Sequence, residues 1–208
     1  ACVETILFRS NDHTQKHGNG WGAMKYPQLT LGMLAIFVYV GVEVLAGDAI
    51  GTYGNGFGLP LDETKIFTSY TLRAMLAGYV VGLIAIPRVI SQERYLSVSA
   101  VLGMVFALGA YFTQGYVSVA FIAALGFANA MMWPAIFPMA IRGLGRFTET
   151  GSAILVMGIA GGALLPQLFV LLKQHYDFQA VFVLIVVPCY LYILYYALRG
   201  HRVGMSSD

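Results

Sequence analysis

Two strongly polar residues lie in the middle of long apolar stretches, and they are the side chains of this sequence best suited to chemistry. Glu43 lies in the first stretch and Asn129 in the fourth. Because hydrocarbon contains no water, an ionisable side chain there is costly and usually marks the path of a substrate or an ion. Tyr39 lies one helical turn before Glu43, on the same helix face. Glu43 is therefore a candidate to carry a proton or bind a hydroxyl, with a purely structural acid as the alternative.

The surroundings of Asn129 favour a sugar as the ligand. Trp133 follows one turn later, and Pro134 and Pro138 remove two backbone donors, which bends a helix and frees carbonyl groups. An amide both donates and accepts hydrogen bonds, as sugar hydroxyls require, and an indole ring can stack on the CH face of a sugar. An Asn bonded to a neighbouring helix and a Trp in the core are an equally good interpretation of these residues alone.

Six apolar stretches must position these residues. The chain has 208 residues, of which 58% are hydrophobic and 11% charged, whereas about 25% are charged in a soluble domain. Each stretch is near the ~20 residues that cross a bilayer as a helix. We therefore expect an all-α polytopic membrane protein with six transmembrane helices in one bundle. The predicted spans are residues 30–50, 66–90, 95–112, 117–141, 152–172 and 180–198.

The distribution of positive charge predicts the orientation. Nine Lys and Arg residues fall on the side of the two termini and two on the opposite side, so both termini are expected in the cytoplasm. The predicted domains are a cytoplasmic linker or tail (1–26), the bundle (27–200) and a cytoplasmic C-terminal tail (201–208). The nine are Arg9, Lys16, Lys25, Arg88, Arg94, Arg142, Arg146, Arg199 and Arg202, and the two are Lys65 and Lys173.

Other polar residues are weaker candidates, and several functional classes are disfavoured. Gln167 follows a proline in the fifth span and could reach the same cavity. Arg73 is placed about two turns inside the second span, close enough to the surface to extend to water. Asp48 lies near the outer surface. All four histidines fall in tails or loops, the two cysteines have no metal spacing, and no loop is suited to phosphates. We expect no enzyme, metal site, cofactor or nucleic-acid partner.

Several motifs resemble a known family. They are YVGVEV (39–44), SYT (69–71), GY (78–79), GFANAMMWPAIFP (126–138), GLGRFTETGSA (143–153), MGIAGGALLP (157–166) and PCYL (188–191). Together they resemble the C-terminal half of the fucose/glucose–galactose sugar transporters of the major facilitator superfamily, with the glucose/galactose branch the more similar. The resemblance implies twelve helices in two bundles that rock around a central cavity, and coupling of sugar to protons through carboxylates, largely on the N-terminal bundle.

The resemblance implies that Glu43 and Asn129 are sugar-binding or cation-coupling candidates, with Trp133 and Tyr39 beside them. Gln167 is a further binding candidate from its position in span five, although the family pattern predicts an apolar residue there, as it does at Arg73. The expected function is secondary active transport of glucose, galactose or a related hexose across the cell inner membrane, driven by H⁺ or Na⁺. Lipid and a missing N-terminal half or second bundle are the expected partners, and we expect the chain to be a fragment or processed piece. The alternatives are a non-transporting membrane scaffold and a carrier of fucose or an amino sugar.

Corresponding positions in two three-helix repeats support a midplane site. Many transporters are built from inverted repeats whose binding site lies where the corresponding broken helices meet. The first and fourth spans, which carry Glu43 and Asn129, occupy such positions. The sequence therefore predicts that these two residues approach one another near the middle of the membrane.

Overall fold

Ten α-helices and three short 3₁₀ turns build the part of the chain that the computed structural model describes, residues 20–205. Residues 1–19, most of the predicted linker, and residues 206–208 of the predicted tail lie outside it. No strand occurs among the described residues. The helices are α1 (Gly20–Ala23), α2 (Pro27–Gly47), α3 (Ile50–Asn55), α4 (Leu61–Arg88), α5 (Gln92–Phe112), α6 (Gly115–Asn129), α7 (Met132–Ile141), α8 (Thr148–Met157), α9 (Gly161–Leu172) and α10 (Phe178–Leu198).

Six segments are long and apolar enough to cross a membrane, which confirms the predicted number of spans and the all-α class. They begin two to seven residues earlier than predicted. Their first turns contain polar residues that start helices, such as the N-cap serine of span three, Ser91, whose hydroxyl accepts a hydrogen bond from the Arg94 amide. Spans one to six are Pro27–Gly47, Asp62–Ile86, Gln92–Phe112, Gly115–Ile141, Gly145–Leu172 and Phe178–Leu198.

Span four is broken in its middle, as the two prolines predict. α6 ends at Asn129, α7 begins at Met132, and Met131 between them has φ −102° and ψ 12°, outside the helical region. Pro134 explains the position of the break, because it has no N–H for the Ala130 carbonyl and its ring clashes with that group. Asn129 therefore lies at the end of a half-helix.

Three of the close backbone contacts between spans join one with five, two with four, and three with six, and span four also packs against spans one and three. A Cβ atom at Gly161 would overlap the Phe37 carbonyl oxygen in the first pair, and one at Gly126 would overlap the Thr71 carbonyl oxygen in the second. Glycine at these crossings lets helices approach where the hydrophobic effect does not drive them together.

This pairing has the pattern of an internal two-fold repeat. If spans one, two and three are exchanged with spans four, five and six, the pair of spans one and five becomes the pair of spans four and two. The pair of spans three and six is unchanged. Spans one and four run in opposite directions through the bundle, as an inverted repeat requires. Glu43 and Asn129 belong to the two corresponding spans, one and four.

Candidate functional site

Glu43 and Tyr39 form the part of the site that span one supplies. Tyr39 is 2% exposed and Glu43 is half-buried, and the Tyr39 hydroxyl is close enough to the carboxyl group to hydrogen-bond with it. The charge of Glu43 also acts on the hydroxyl groups of Tyr79, in span two, and Tyr190, in span six. Tyrosines from three spans therefore lie within electrostatic range of one carboxyl group.

Asn129 joins the same group of residues through Tyr190. Its side chain is fully buried, and its Oδ1 accepts a hydrogen bond of 2.6 Å from the Tyr190 hydroxyl. Its Nδ2 has no hydrogen-bond partner among the described residues. The structure thus links the two main sequence candidates, Glu43 and Asn129, through one tyrosine that belongs to neither span.

These groups are complementary to a polyhydroxylated ligand. The Glu43 carboxylate accepts hydrogen bonds, Asn129 Nδ2 donates them, and the phenols of Tyr39 and Tyr79 can do both. Aromatic rings also offer apolar faces to the CH surface of a sugar ring. A carboxyl group in this setting can instead hold or release a proton. No group of three or more His, Cys, Asp or Glu residues within 20–205 could hold a metal ion.

Tyr79 and Tyr190 were not among the residues predicted to bind substrate. Both lie within segments that carry the family resemblance, residues 78–79 and 188–191, which was a usable signal. Neither is close in sequence to Glu43, and helical spacing within one span does not show which other spans face it. Their convergence depends on how spans two and six pack against span one.

Trp133 and Gln167 are less closely connected to this group. Trp133 is half-buried and stacks on Phe137, with ring centroids 5.9 Å apart and 20° between the planes. The break in span four lies between Asn129 and Trp133, so regular helical spacing does not place them on one face. Gln167 is exposed on span five, and it makes no hydrogen bond to any other described residue.

Arg73 lies on the exposed face of span two. α4 begins at Leu61, so Arg73 lies 12 residues, about three turns, from the start of the helix. The side chain is exposed and packs over the Tyr70 ring at 5.8 Å from its centroid. It therefore places a positive charge on the exposed face of span two. Asp48 is exposed just beyond the end of span one, as expected.

Comparison with known proteins identifies sugar transporters as relatives, although no family model matches the chain. A glucose/galactose transporter of Brucella abortus (biovar 1, strain 9-941) is 30% identical over 191 residues, which are 90% of this chain and 45% of the relative. A putative glucose/galactose transporter of Helicobacter pylori (strain J99) is 28% identical over 187 residues, with 88% and 46% covered. The L-fucose-proton symporter of Haemophilus influenzae is 28% identical over 137 residues, with 66% and 32% covered.

Solved structures show the same fold. The E. coli fucose:proton symporter superposes with a TM-score of 0.82 at 21% identity, over 95% of this chain and 48% of that chain. A second structure of this transporter, in the outward conformation, gives a TM-score of 0.77 at 22% identity, over 87% and 43%.

The fold is therefore one six-helix half of a major facilitator superfamily transporter. In sequence the chain is homologous to glucose/galactose transporters and to an L-fucose-proton symporter. The chain spans about half the length of the curated relatives it matches.

Proposed function

We propose that this chain is the C-terminal half of a carrier for glucose, galactose or a related hexose, which is driven by a proton or another cation. The observation that carries the proposal is the convergence of Tyr39, Glu43, Asn129 and Tyr190 from spans one, four and six in the membrane interior. The names of the relatives, which include glucose/galactose transporters and a fucose-proton symporter, support the same class of substrate and coupling.

The site residues would divide the work by their chemistry. Glu43 would accept a hydrogen bond from a sugar hydroxyl or carry the coupling proton, with Tyr39 as its neighbour. Asn129 would donate to the sugar and Trp133 would stack on its ring, while Gln167 would extend the site along span five. No cofactor has a role in this proposal.

A second six-helix bundle would complete the carrier, because alternating access needs two bundles that move against each other. Spans two and five are the least buried of the six and so offer faces for that bundle. Arg73 lies on one of them and would be covered there. The excess of positive charge at the end that holds both termini supports cytoplasmic termini in the cell inner membrane.

The test of this proposal is Glu43→Gln in the intact native protein, reconstituted in liposomes. If Glu43 carries the proton, the variant should still exchange hexose across the membrane but lose accumulation driven by a pH gradient. If Glu43 is a sugar ligand, the affinity for hexose should fall instead. Glu149→Gln, an exposed carboxylate outside the bundle interior, is the matched control and should change neither.

Unchanged uptake with unchanged affinity in Glu43→Gln would remove Glu43 from the site. Binding of hexose without flux in the unaltered protein would instead favour a non-transporting membrane scaffold. Intact mass of the native protein is a necessary companion measurement, since a polypeptide about twice as long would contain the second bundle.

A further inference from the structure

Tyr190 provides the one hydrogen bond that the Asn129 side chain makes within residues 20–205. Its hydroxyl donates to Asn129 Oδ1 at 2.6 Å, and both side chains are fully buried. Tyr190 belongs to span six, which lies behind the site and supplies none of the predicted sugar ligands.

Span three holds the Tyr190 ring in place. A Cβ atom at Gly103 would lie 2.5 Å from Tyr190 Cζ, so the ring packs directly on bare backbone. With the ring fixed, the direction of the hydroxyl bond to Asn129 is fixed too. Span six therefore controls the orientation of an amide on span four.

This bond determines what Asn129 can offer to a ligand. The amide oxygen is occupied from the Tyr190 side, which leaves only Nδ2, and that group is buried without a partner among the described residues. A buried donor without an acceptor is rare and calls for an explanation. Asn129 also ends α6, next to the break in span four, where a movement of α7 would expose the amide.

We propose that Tyr190 is a positioning residue, which makes Asn129 a dedicated hydrogen-bond donor to one hydroxyl oxygen of the hexose. Glu43, whose charge acts on the same tyrosine, is the acceptor on the other side of the ligand. The inference rests on the proposed transport of hexose. Without the Tyr190 hydroxyl, the Asn129 amide can flip, so that its oxygen rather than its nitrogen faces the sugar. Selectivity for a hydroxyl at that position of the sugar is then lost.

The test compares Tyr190→Phe with the unaltered intact protein in liposomes, using competition of hexose uptake by a set of monodeoxyhexoses. One deoxy sugar, which lacks the hydroxyl that Asn129 binds, should bind the unaltered protein at least about tenfold more weakly than the parent hexose. The reason is that Asn129 Nδ2 is then left without an acceptor. In Tyr190→Phe that ratio should fall towards one, while the ratios at the other positions stay the same. A loss of fold would lower all ratios or abolish uptake.

Tyr196→Phe is the matched control. Tyr196 lies on the same span and is also fully buried, but its hydroxyl has no partner among the described residues, so all ratios should be kept. If Tyr190→Phe keeps every ratio, or changes all of them equally, the inference is wrong and the proposed transport stands. If the unaltered protein takes up no hexose, the proposed function fails and the inference fails with it.

Discussion

The two ends of the bundle are both closed by polar side chains, but by opposite kinds of chemistry. At one end, a buried and neutral side chain, Gln179, joins three spans. Its Nε2 donates to the carbonyl oxygens of Ala110 at 2.9 Å and Thr113 at 2.8 Å, and its Oε1 accepts from Gln114 at 3.1 Å. Neutral buried bonds of this kind are insensitive to salt.

At the other end, a carboxylate that is partly open to solvent, Glu93, joins the loops. Its oxygens lie 3.7 Å from Arg142, 3.5 Å from His201 and 3.8 Å from Arg202, and both arginine side chains are more than half exposed. His201 is buried: its Nε2 accepts from the Arg202 Nε–H at 3.0 Å, so its Nδ1–H donates to the Tyr196 carbonyl. The two arginines supply positive charge to this cluster.

The difference implies that the two ends open at different cost. A buried hydrogen-bonded amide cannot be replaced by water without exposing carbonyl groups at the ends of helices, whereas exposed ion pairs exchange readily with water and salt. In the proposed carrier, which must open one side at a time, the Gln179 end would be the firmer closure.

Gln179→Leu should have the largest effect on stability. It removes the donor to the Thr113 carbonyl and leaves Gln114 without its acceptor, which should lower the free energy of unfolding by about 1–3 kcal/mol. Thermal unfolding in detergent, followed by circular dichroism, measures the change. Gln174→Leu, an exposed residue of the adjoining loop, is the control, and equal melting temperatures for the two variants would contradict the assigned role.

Tyr53→Phe should have a smaller effect at the same end. Burial raises the pKa of the Tyr53 phenol above its ordinary value, so the hydroxyl stays protonated and bonds Ser118 Oγ at 2.7 Å. The change should cost about 1 kcal/mol, because the ring still packs on Phe178 and Ser118 still donates to the Ala110 carbonyl at 2.6 Å. The same unfolding measurement tests it. A loss equal to that of Gln179→Leu would mean that the hydroxyl, rather than the amide, holds this end together.

The sequence predicts the parts of this structure that depend on local physics. Length and hydrophobicity are sufficient for six helical spans, and Pro134 is sufficient for a break near Asn129. The short helix α3, which buries Tyr53 beyond span one, was not predicted, because its Gly- and Asn-containing sequence is also typical of a loop. Glu43 and Asn129 were found because polar residues in apolar spans are conspicuous.

The sequence does not predict the partners of these residues. Tyr190 meets Asn129 across 61 residues, Gln179 meets Tyr53 across 126, and His201, assigned to a tail, is buried against Glu93. Such pairs are decided by the crossings of whole helices, and one sequence carries no record of which crossing occurs. The glycines predict that close crossings exist but not which spans meet there.

Glu93→Gln should have the smallest effect, and that effect should depend on salt. Ion pairs that reach solvent contribute about 0.2–1 kcal/mol, and at about 1 M salt the screening length falls to about 3 Å, shorter than all three Glu93 contacts. The melting temperature should therefore drop slightly at low salt and match the unaltered protein at high salt. The decrease in melting temperature of Gln179→Leu should be the same at both salt concentrations, and Glu149→Gln should show no decrease at either.

A decrease in the melting temperature of Glu93→Gln that persists at high salt would mean that the carboxylate acts through short buried bonds. The two ends would then be alike in strength, and the ranking of the two closures would be lost.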